Sequence, residues 1–283
     1  MAASKMKKLL RVAAAMGLIL AAVFLSSAFA AEEIKIGGSG TGLGTMKLLA
    51  EAYQKKHPGI KIRILPSLGS SGGIKAVLEG AIDIGVSSRR LKDAEQSQGA
   101  SAIEYCRTPM VFVSSSETGK TGLTTMELEK IYAGELQTWP NGGRIRLILR
   151  PEAEASTDDL KNISVAMKNA AATALAREGM IVAVTDQENV DAIAKTPGSL
   201  GVSTLTQLVS EGRQLTLFSY NGVKPGIENL SSGAYPLFRS LFFVTAPKTG
   251  EAARKFGSFV RSPAGREILQ KNGALPVASG GGR

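Results

Sequence analysis

The sequence predicts an α/β protein with mostly parallel strands, and three observations carry that expectation. Short β-rich runs alternate with stretches of helical apolar spacing along most of the chain. Loops of small polar residues follow several of the β-rich runs, as they do where a strand hands over to a crossover helix. No self-similarity at a solenoid period interrupts this order.

Taken in order, the 283-residue chain opens with Lys5, Lys7, Lys8 and Arg11 ahead of the apolar run VAAAMGLILAAVFL. Ala28-Phe29-Ala30 then precedes Ala31, so residues 1–30 read as a secretory signal peptide with an A-x-A cleavage site. The apolar run is shorter than the roughly 20 residues of a membrane span, and no comparable run follows it. The mature chain is therefore expected to be exported and not embedded in a membrane. The absence of cysteine at the cleavage site speaks against a lipid anchor.

IKIGGSG is a strand entering a glycine-rich loop, and TMKLLAEAYQKKHP is a helix stopped at Pro58-Gly59. IKIRILPS leads through LGSSGG to the helix IKAVLEGA, and IDIGVSS leads to another turn. PMVFVSS is a buried-type strand, followed by the helix TTMELEKIYAGE and the strand RIRLILR. After the loop PEAEASTDD, helical spacing runs to about Arg177, and Pro197-Gly198 marks a turn within GMIVAVTDQENVDAIAKTPGSLGVST. The strand pattern LSSGAYPLFRSLFFVTAP, the helix GEAARKFGSFVRSPAGREILQKNG and a flexible tail SGGGR complete the chain.

Charge and composition narrow the function classes. Without residues 1–30 the net charge falls from +10 to +6, a modest excess that steers anions toward the surface. No dense Lys/Arg run or aromatic-basic interleaving appears, so nucleic-acid binding is not indicated. With one His and one Cys, neither a Ser-His-Asp triad nor a His/Cys metal cluster assembles. His57 reads as a helix stop, Cys106 as a buried small apolar residue, and Trp139 as a packing anchor. The adjacent Asp158 and Asp159 read as a helix first turn.

The glycine-rich stretch from Gly37 to Gly44 adds little to a core and loses much conformational entropy on ordering. It does not supply G-x-G-x-x-G in any register, and SSSETGKT lacks the first glycine of a P-loop and begins its helix too late. The stronger signal is repetition: Ser39/Thr41, Ser70/Ser71 and Ser87/Ser88 each fall where a strand ends and a helix begins. Such places gather ligands in open α/β sheets, since helix N-termini offer unpaired N–H groups and hydroxyls add rotatable donors. Ser and Thr are favoured there as ordinary N-caps too, so both readings stand. Arg150 at a strand end, with Ser156 and Thr157 before Asp158, fits bidentate recognition of an oxyanion or a surface arginine beside a capped helix.

Taken together, IGGSGTG, LGSSGGIKAVLEGAIDIGVSSRRL, LEKIYAGELQTWPNGGRIRLILR, NLSSGAYPLFRSLFFVT and FGSFVRSPAGREILQKNGALPV resemble, in order, the motifs of the periplasmic phosphate-binding proteins of ABC importers. The likeness spans nearly the whole mature chain. It implies a type II solute-binding fold of two lobes, each a mixed, mostly parallel sheet flanked by helices, with two hinge crossings near Ser114 and Tyr235. Residues 31–113 plus 236–278 would form one lobe and 114–235 the other, leaving 279–283 as a tail. Thr41, Gly42, Leu43, Ser70, Ser71 and Ser88 match anion contacts on the first lobe, and Arg150, Ser156 and Thr157 match those on the second. The resemblance implies a monomeric periplasmic protein that passes phosphate or a related oxyanion to ABC permease subunits. It implies no catalytic residue, metal or cofactor. A sensory module that meets no permease and an exported phosphoryl hydrolase are the alternatives.

Two departures stand out. Many family members carry Asp where this chain has Ser88, and that carboxylate accepts the proton of a protonated phosphate. With Ser88 in its place, sulfate, molybdate and tungstate stay open, and Arg89 beside it offers another cation. PEAEASTDD replaces the family's D-G-S-G-T, bringing Glu152 and Glu154 near the anion, where they are expected to face solvent or pair with Arg89 or Arg90.

Overall fold

A computed structural model of the chain describes residues 32–115 and 118–277. The expected signal peptide and tail lie outside the described residues. The first part of the chain alternates β1 (Glu32–Gly38), α1 (Gly40–Lys56), β2 (Ile60–Ser67), α2 (Gly69–Leu78), β3 (Ile84–Ser87) and α3 (Asp93–Ser97). A long strand β4 (Ser101–Ser114) leads to β5 (Gly122–Leu123), α4 (Thr125–Ala133), β6 (Arg146–Leu149), α5 (Ala155–Lys161) and α6 (Val165–Ala176). Next come β7 (Ile181–Val182), α7 (Asp186–Lys195), β8 (Ser199–Thr204), α8 (Leu205–Ser210), β9 (Thr216–Leu217), β10 (Ser219–Tyr220) and α9 (Ile227–Ser231). The chain closes with β11 (Phe238–Thr245), α10 (Glu251–Val260), α11 (Pro263–Lys271) and β12 (Leu275–Pro276).

The main sheet runs β2-β1-β3-β11-β4-β8-β6-β7. β1 pairs parallel with both β2 and β3, and β6 pairs parallel with β7 and β8. Between these parallel sets lie β11 and β4, antiparallel to each other and to their outer neighbours β3 and β8. The sheet is thus mixed, parallel at both ends and antiparallel in the middle. Among the described residues no helix is long and apolar enough to cross a membrane.

Two large hydrophobic cores flank that antiparallel middle. One gathers Ile34, Ile36, Met46, Ile84, Leu241 and Phe256, while the other gathers Leu128, Tyr132, Leu147, Met167, Leu200 and Phe218. β4 contributes to both, with Tyr105 and Cys106 in the first and Met110 and Phe112 in the second. The chain returns after Tyr235, whose ring lies in the second core and whose hydroxyl donates to the Met110 carbonyl at 2.6 Å.

Several boundaries differ from the sequence expectation. β4 starts at Ser101 rather than near Pro109, because its first half finds an antiparallel partner in β11. α1 and α2 begin at Gly40 and Gly69, inside segments whose glycines predict loops. The stretch before Arg177 is two helices, since Ser164 caps α6 by accepting from the Met167 N–H at 2.8 Å. The C-terminal helix also breaks, at Ser262, whose hydroxyl caps α11 ahead of Pro263 in its first turn.

Candidate anion-binding cleft

Three strand-to-helix turns meet at the carboxyl ends of β1, β2 and β3, where β1 lies between its two neighbours. The first turn depends on Gly38, with φ of +128° and no room for a side chain: a Cβ there would stand 2.1 Å from the Val86 carbonyl oxygen. Ser39 donates its N–H to that carbonyl at 2.8 Å and occupies the N-cap of α1. Its hydroxyl makes no capping bond and reaches Ser88 Oγ at 3.3 Å instead. Ser70 Oγ lies 3.0 Å from Ser88 Oγ and accepts the Ser88 N–H at 3.0 Å. Ser39, Ser70 and Ser88 therefore form one chain of hydroxyls in front of the α1 N-terminus.

Arg150 approaches from the second core. It directly follows β6, its side chain is only 5% exposed, and Nη1 donates to the Ala183 carbonyl at 2.7 Å. Nη2 reaches Glu154 Oε2 at 3.2 Å and Asp186 Oδ1 at 3.4 Å, while the buried Nε has no partner. Asp186 joins the two sides. Its Oδ2 accepts the Thr41 N–H at 2.9 Å and lies 3.4 Å from Ser39 Oγ. A carboxylate thus bridges the N-terminus of α1 and the guanidinium of Arg150.

The remaining sequence candidates fall nearby with different duties. The Gly42 N–H donates to Ser39 O at 3.2 Å within the turn, and the Leu43 side chain packs into the first core. Ser71 accepts from Arg89 Nη2 at 3.0 Å. Ser156 and Thr157 are buried within the first turn of α5, and the Thr157 hydroxyl turns back to the Arg150 and Pro151 carbonyls at 3.2 and 2.9 Å. Of the nine candidates, Thr41, Ser70, Ser88 and Arg150 converge directly around the hydroxyl chain and the Asp186 carboxylate; the hydroxyl of Thr157 supports the Arg150 loop instead.

Of the two extra acids, Glu152 faces solvent as expected, whereas the expected surroundings of Glu154 need correction. Arg89 holds Glu95 with two bonds, at 2.7 and 2.9 Å, and this keeps the Glu95 carboxyl below its ordinary value. Glu154 pairs with Arg150, to which its place at the N-cap of α5 brings it, and not with Arg89 or Arg90. Glu152 faces solvent and pairs with Lys161 at 2.7 Å. Arg90 instead lays its guanidinium over the Phe242 ring.

Sequence reasoning missed three members of the cleft. Besides Asp186, Arg239 on β11 is almost wholly buried, donates twice to Asp159 Oδ2 at 2.6 and 2.8 Å, and reaches Thr41 Oγ1 at 3.3 Å. Asp159, from α5, completes that pair. An arginine inside the otherwise apolar run PLFRSLFFV was the available signal for Arg239. Next to the hydroxyl chain, a cavity of about 440 Å³ opens between Ser88, Arg89, Arg90, Asp158, Asp159 and Arg239. Donors of fixed geometry, two buried guanidiniums and freely rotating hydroxyls suit a small oxyanion.

Known proteins resemble this chain along most of its length. The phosphate-binding protein PstS of Borreliella burgdorferi is 27% identical over 253 residues, covering 86% of this chain and 90% of that protein. The phosphate-binding protein PstS of Bacillus subtilis is 26% identical, covering 88% and 82%. Among solved structures, a candidate phosphate ABC transporter substrate-binding protein from Clostridium perfringens, determined with bound phosphate, shares the fold with a TM-score of 0.74 at 21% identity. It covers 87% of this chain and 100% of its own. Residues 26–264 match the family model for the PBP superfamily domain, and with more than four-fifths of its length inside that match the chain belongs to the PBP superfamily.

Proposed function

We propose that the chain is an exported binding protein that holds phosphate or a related tetrahedral oxyanion in this cleft and delivers it to an ABC permease. The observation that carries the reading is the Asp186 carboxylate, an anionic group already held by a helix N-terminal N–H and a buried arginine from opposite sides. Donors that receive a carboxylate there have the reach and sign to receive an oxyanion. The names of the PstS relatives point to phosphate.

In this reading Thr41, Ser70, Ser88 and Arg150 are the principal contacts, with Gly42, Leu43, Ser71, Ser156 and Thr157 shaping their loops. The two cores would be lobes of residues 31–113 plus 236–278 and residues 114–235, hinged near Ser114 and Tyr235. Closing them over an anion would remove it from water and present a new surface to the permease. About eight charge-assisted hydrogen bonds at roughly 1.5 kcal/mol each give about 12 kcal/mol before association and closure offset several kcal/mol. The remainder, on the order of −8 to −10 kcal/mol, corresponds to micromolar to sub-micromolar binding.

The test is calorimetric titration of the mature protein, unfolded to strip retained ligand and refolded, with phosphate, sulfate, molybdate and tungstate. Saturable phosphate binding in the micromolar range or tighter is the expected result. Binding of sulfate, molybdate or tungstate alone would rename the ligand, and silence from all four would overturn the assignment.

A further inference from the structure

We infer that Asp186 is an internal ligand of the cleft: its carboxylate occupies the donors an oxyanion needs, and an oxyanion binds by displacing it. The inference rests on the anion-binding reading above and assigns Asp186 as the residue that sets affinity at that site. Both carboxylate oxygens are engaged, Oδ2 by the Thr41 N–H at 2.9 Å and Oδ1 by Arg150 Nη2 at 3.4 Å. The side chain is 13% exposed.

The surroundings are shaped to admit it. A Cβ on Gly40 would stand 2.9 Å from Asp186 Cβ and 3.0 Å from Oδ2, so a side chain at the first residue of α1 would push the carboxylate out. Asp186 is not needed to cap its own helix: Thr185 accepts the Glu188 N–H at 3.1 Å, and Glu188 Oε2 accepts the Thr185 N–H at 3.0 Å. It reaches across to another helix instead. Gln187 follows it, donating to the Gly40 carbonyl at 3.2 Å.

Charge excludes joint occupancy. Arg150 is already paired with Asp186 and Glu154, and Arg239 with Asp159. A dianion seated on the Thr41 N–H would meet the Asp186 carboxylate at hydrogen-bond distance, competing for the same donor and repelled by it. Arg150 Nε is a buried donor left without a partner in this arrangement. Because the competition is for donors and charge, it weakens every oxyanion alike. A cleft filled by its own carboxylate for about nine-tenths of the time binds roughly tenfold more weakly than an empty one.

The experiment is titration of phosphate and sulfate into ligand-stripped wild type and Asp186→Asn at one pH and ionic strength, with thermal melts to establish folding. Asn keeps the size and loses the charge. The expected result is a gain of about tenfold or more in phosphate affinity, with any sulfate affinity rising by a similar factor. Asp186→Ser, which also withdraws the reach, should move both affinities in the same direction. A folded variant whose phosphate affinity is unchanged or weaker overturns the inference. So does a gain confined to sulfate, which would mean that the carboxylate stays in place and reads the ligand. A wild type that binds no anion would take down the anion-binding reading itself, whereas phosphate binding by wild type with no gain in Asp186→Asn takes down only the role of Asp186.

Discussion

Truncating Arg150 should cripple oxyanion binding, and the structure sets the size of the loss. The guanidinium donates through Nη1 to the Ala183 carbonyl at 2.7 Å and through Nη2 to Glu154 and Asp186, while the buried Nε has no partner. Two hydrogen bonds from a charged group contribute about 1.5 to 3 kcal/mol each. Arg150→Ala also strips Glu154 and Asp186 of their cation, leaving Asp186 with the Thr41 N–H, and both negative charges then face the incoming anion. Glu154 is 33% exposed, so solvent screens its share to about 1 kcal/mol or less.

The expected loss for Arg150→Ala is therefore about 3 to 5 kcal/mol, or more than about a hundredfold in affinity. Arg150→Lys keeps the charge and forfeits the planar fork. A single ammonium cannot serve Ala183 and the anion with the same geometry, so a loss of about 1 to 2 kcal/mol is expected. The assay is calorimetric titration of ligand-stripped protein beside thermal melts. A change below about 0.5 kcal/mol for folded Arg150→Ala would refute the reasoning, because a buried donor facing the ligand cannot be lost so cheaply.

The Ser88 hydroxyl stands 3.0 Å from Ser70 Oγ and 3.3 Å from Ser39 Oγ, so Ser88→Asp sets a carboxylate within reach of the hydroxyl chain. Competition titration should show a sharper preference for protonated phosphate over sulfate; an unchanged or reversed ratio would remove Ser88 from the ligand's surroundings. Trp139→Phe deletes the Nε1 bond to the Gly198 carbonyl at 3.0 Å but keeps the stacking on Phe218. Because that carbonyl also accepts from the Arg146 N–H, the loss should be about 1 kcal/mol in chemical denaturation, and a loss above about 3 kcal/mol would contradict it. Burial pushes the Cys106 thiol well above its ordinary value, so a thiol reagent should label it only under denaturing conditions. Rapid labelling of the folded protein would contradict its place in the first core.

The α/β alternation was legible because buried strands such as Ile84–Ser87 and Phe238–Thr245 are short apolar runs whose signal is local. The starts of α1 and α2 were not, because glycine's low helix propensity makes Gly40 and Gly69 read as loop. What keeps Gly40 helical and small is tertiary: Asp186 and Gln187 press on it from 146 and 147 positions away in the sequence. Arg150 stood out by ending a strand ahead of a small-residue loop. Asp186 did not, since an acid in the first turn of a helix has a sufficient local explanation in the helix dipole. Arg239 lay hidden for a related reason: its partners Asp159 and Thr41 are separated from it by 80 and 198 residues.

The division of labour among the donors explains why a closed cleft would need an internal carboxylate. Hydroxyls are rotors, and Ser39, Ser70 and Ser88 can satisfy one another at 3.0 to 3.3 Å. The Thr41 N–H has no such freedom, because it points along α1 wherever the cleft is. Left buried and unpaired it would cost about 1 to 3 kcal/mol. Asp186 accepts that N–H and shares Arg150 with Glu154. In the proposed reading the same contact opposes the ligand, so affinity depends on how much better an oxyanion satisfies Thr41 and Arg150 than a tethered carboxylate does. An oxyanion has more oxygens to offer than a carboxylate, and that surplus is the margin by which it can win.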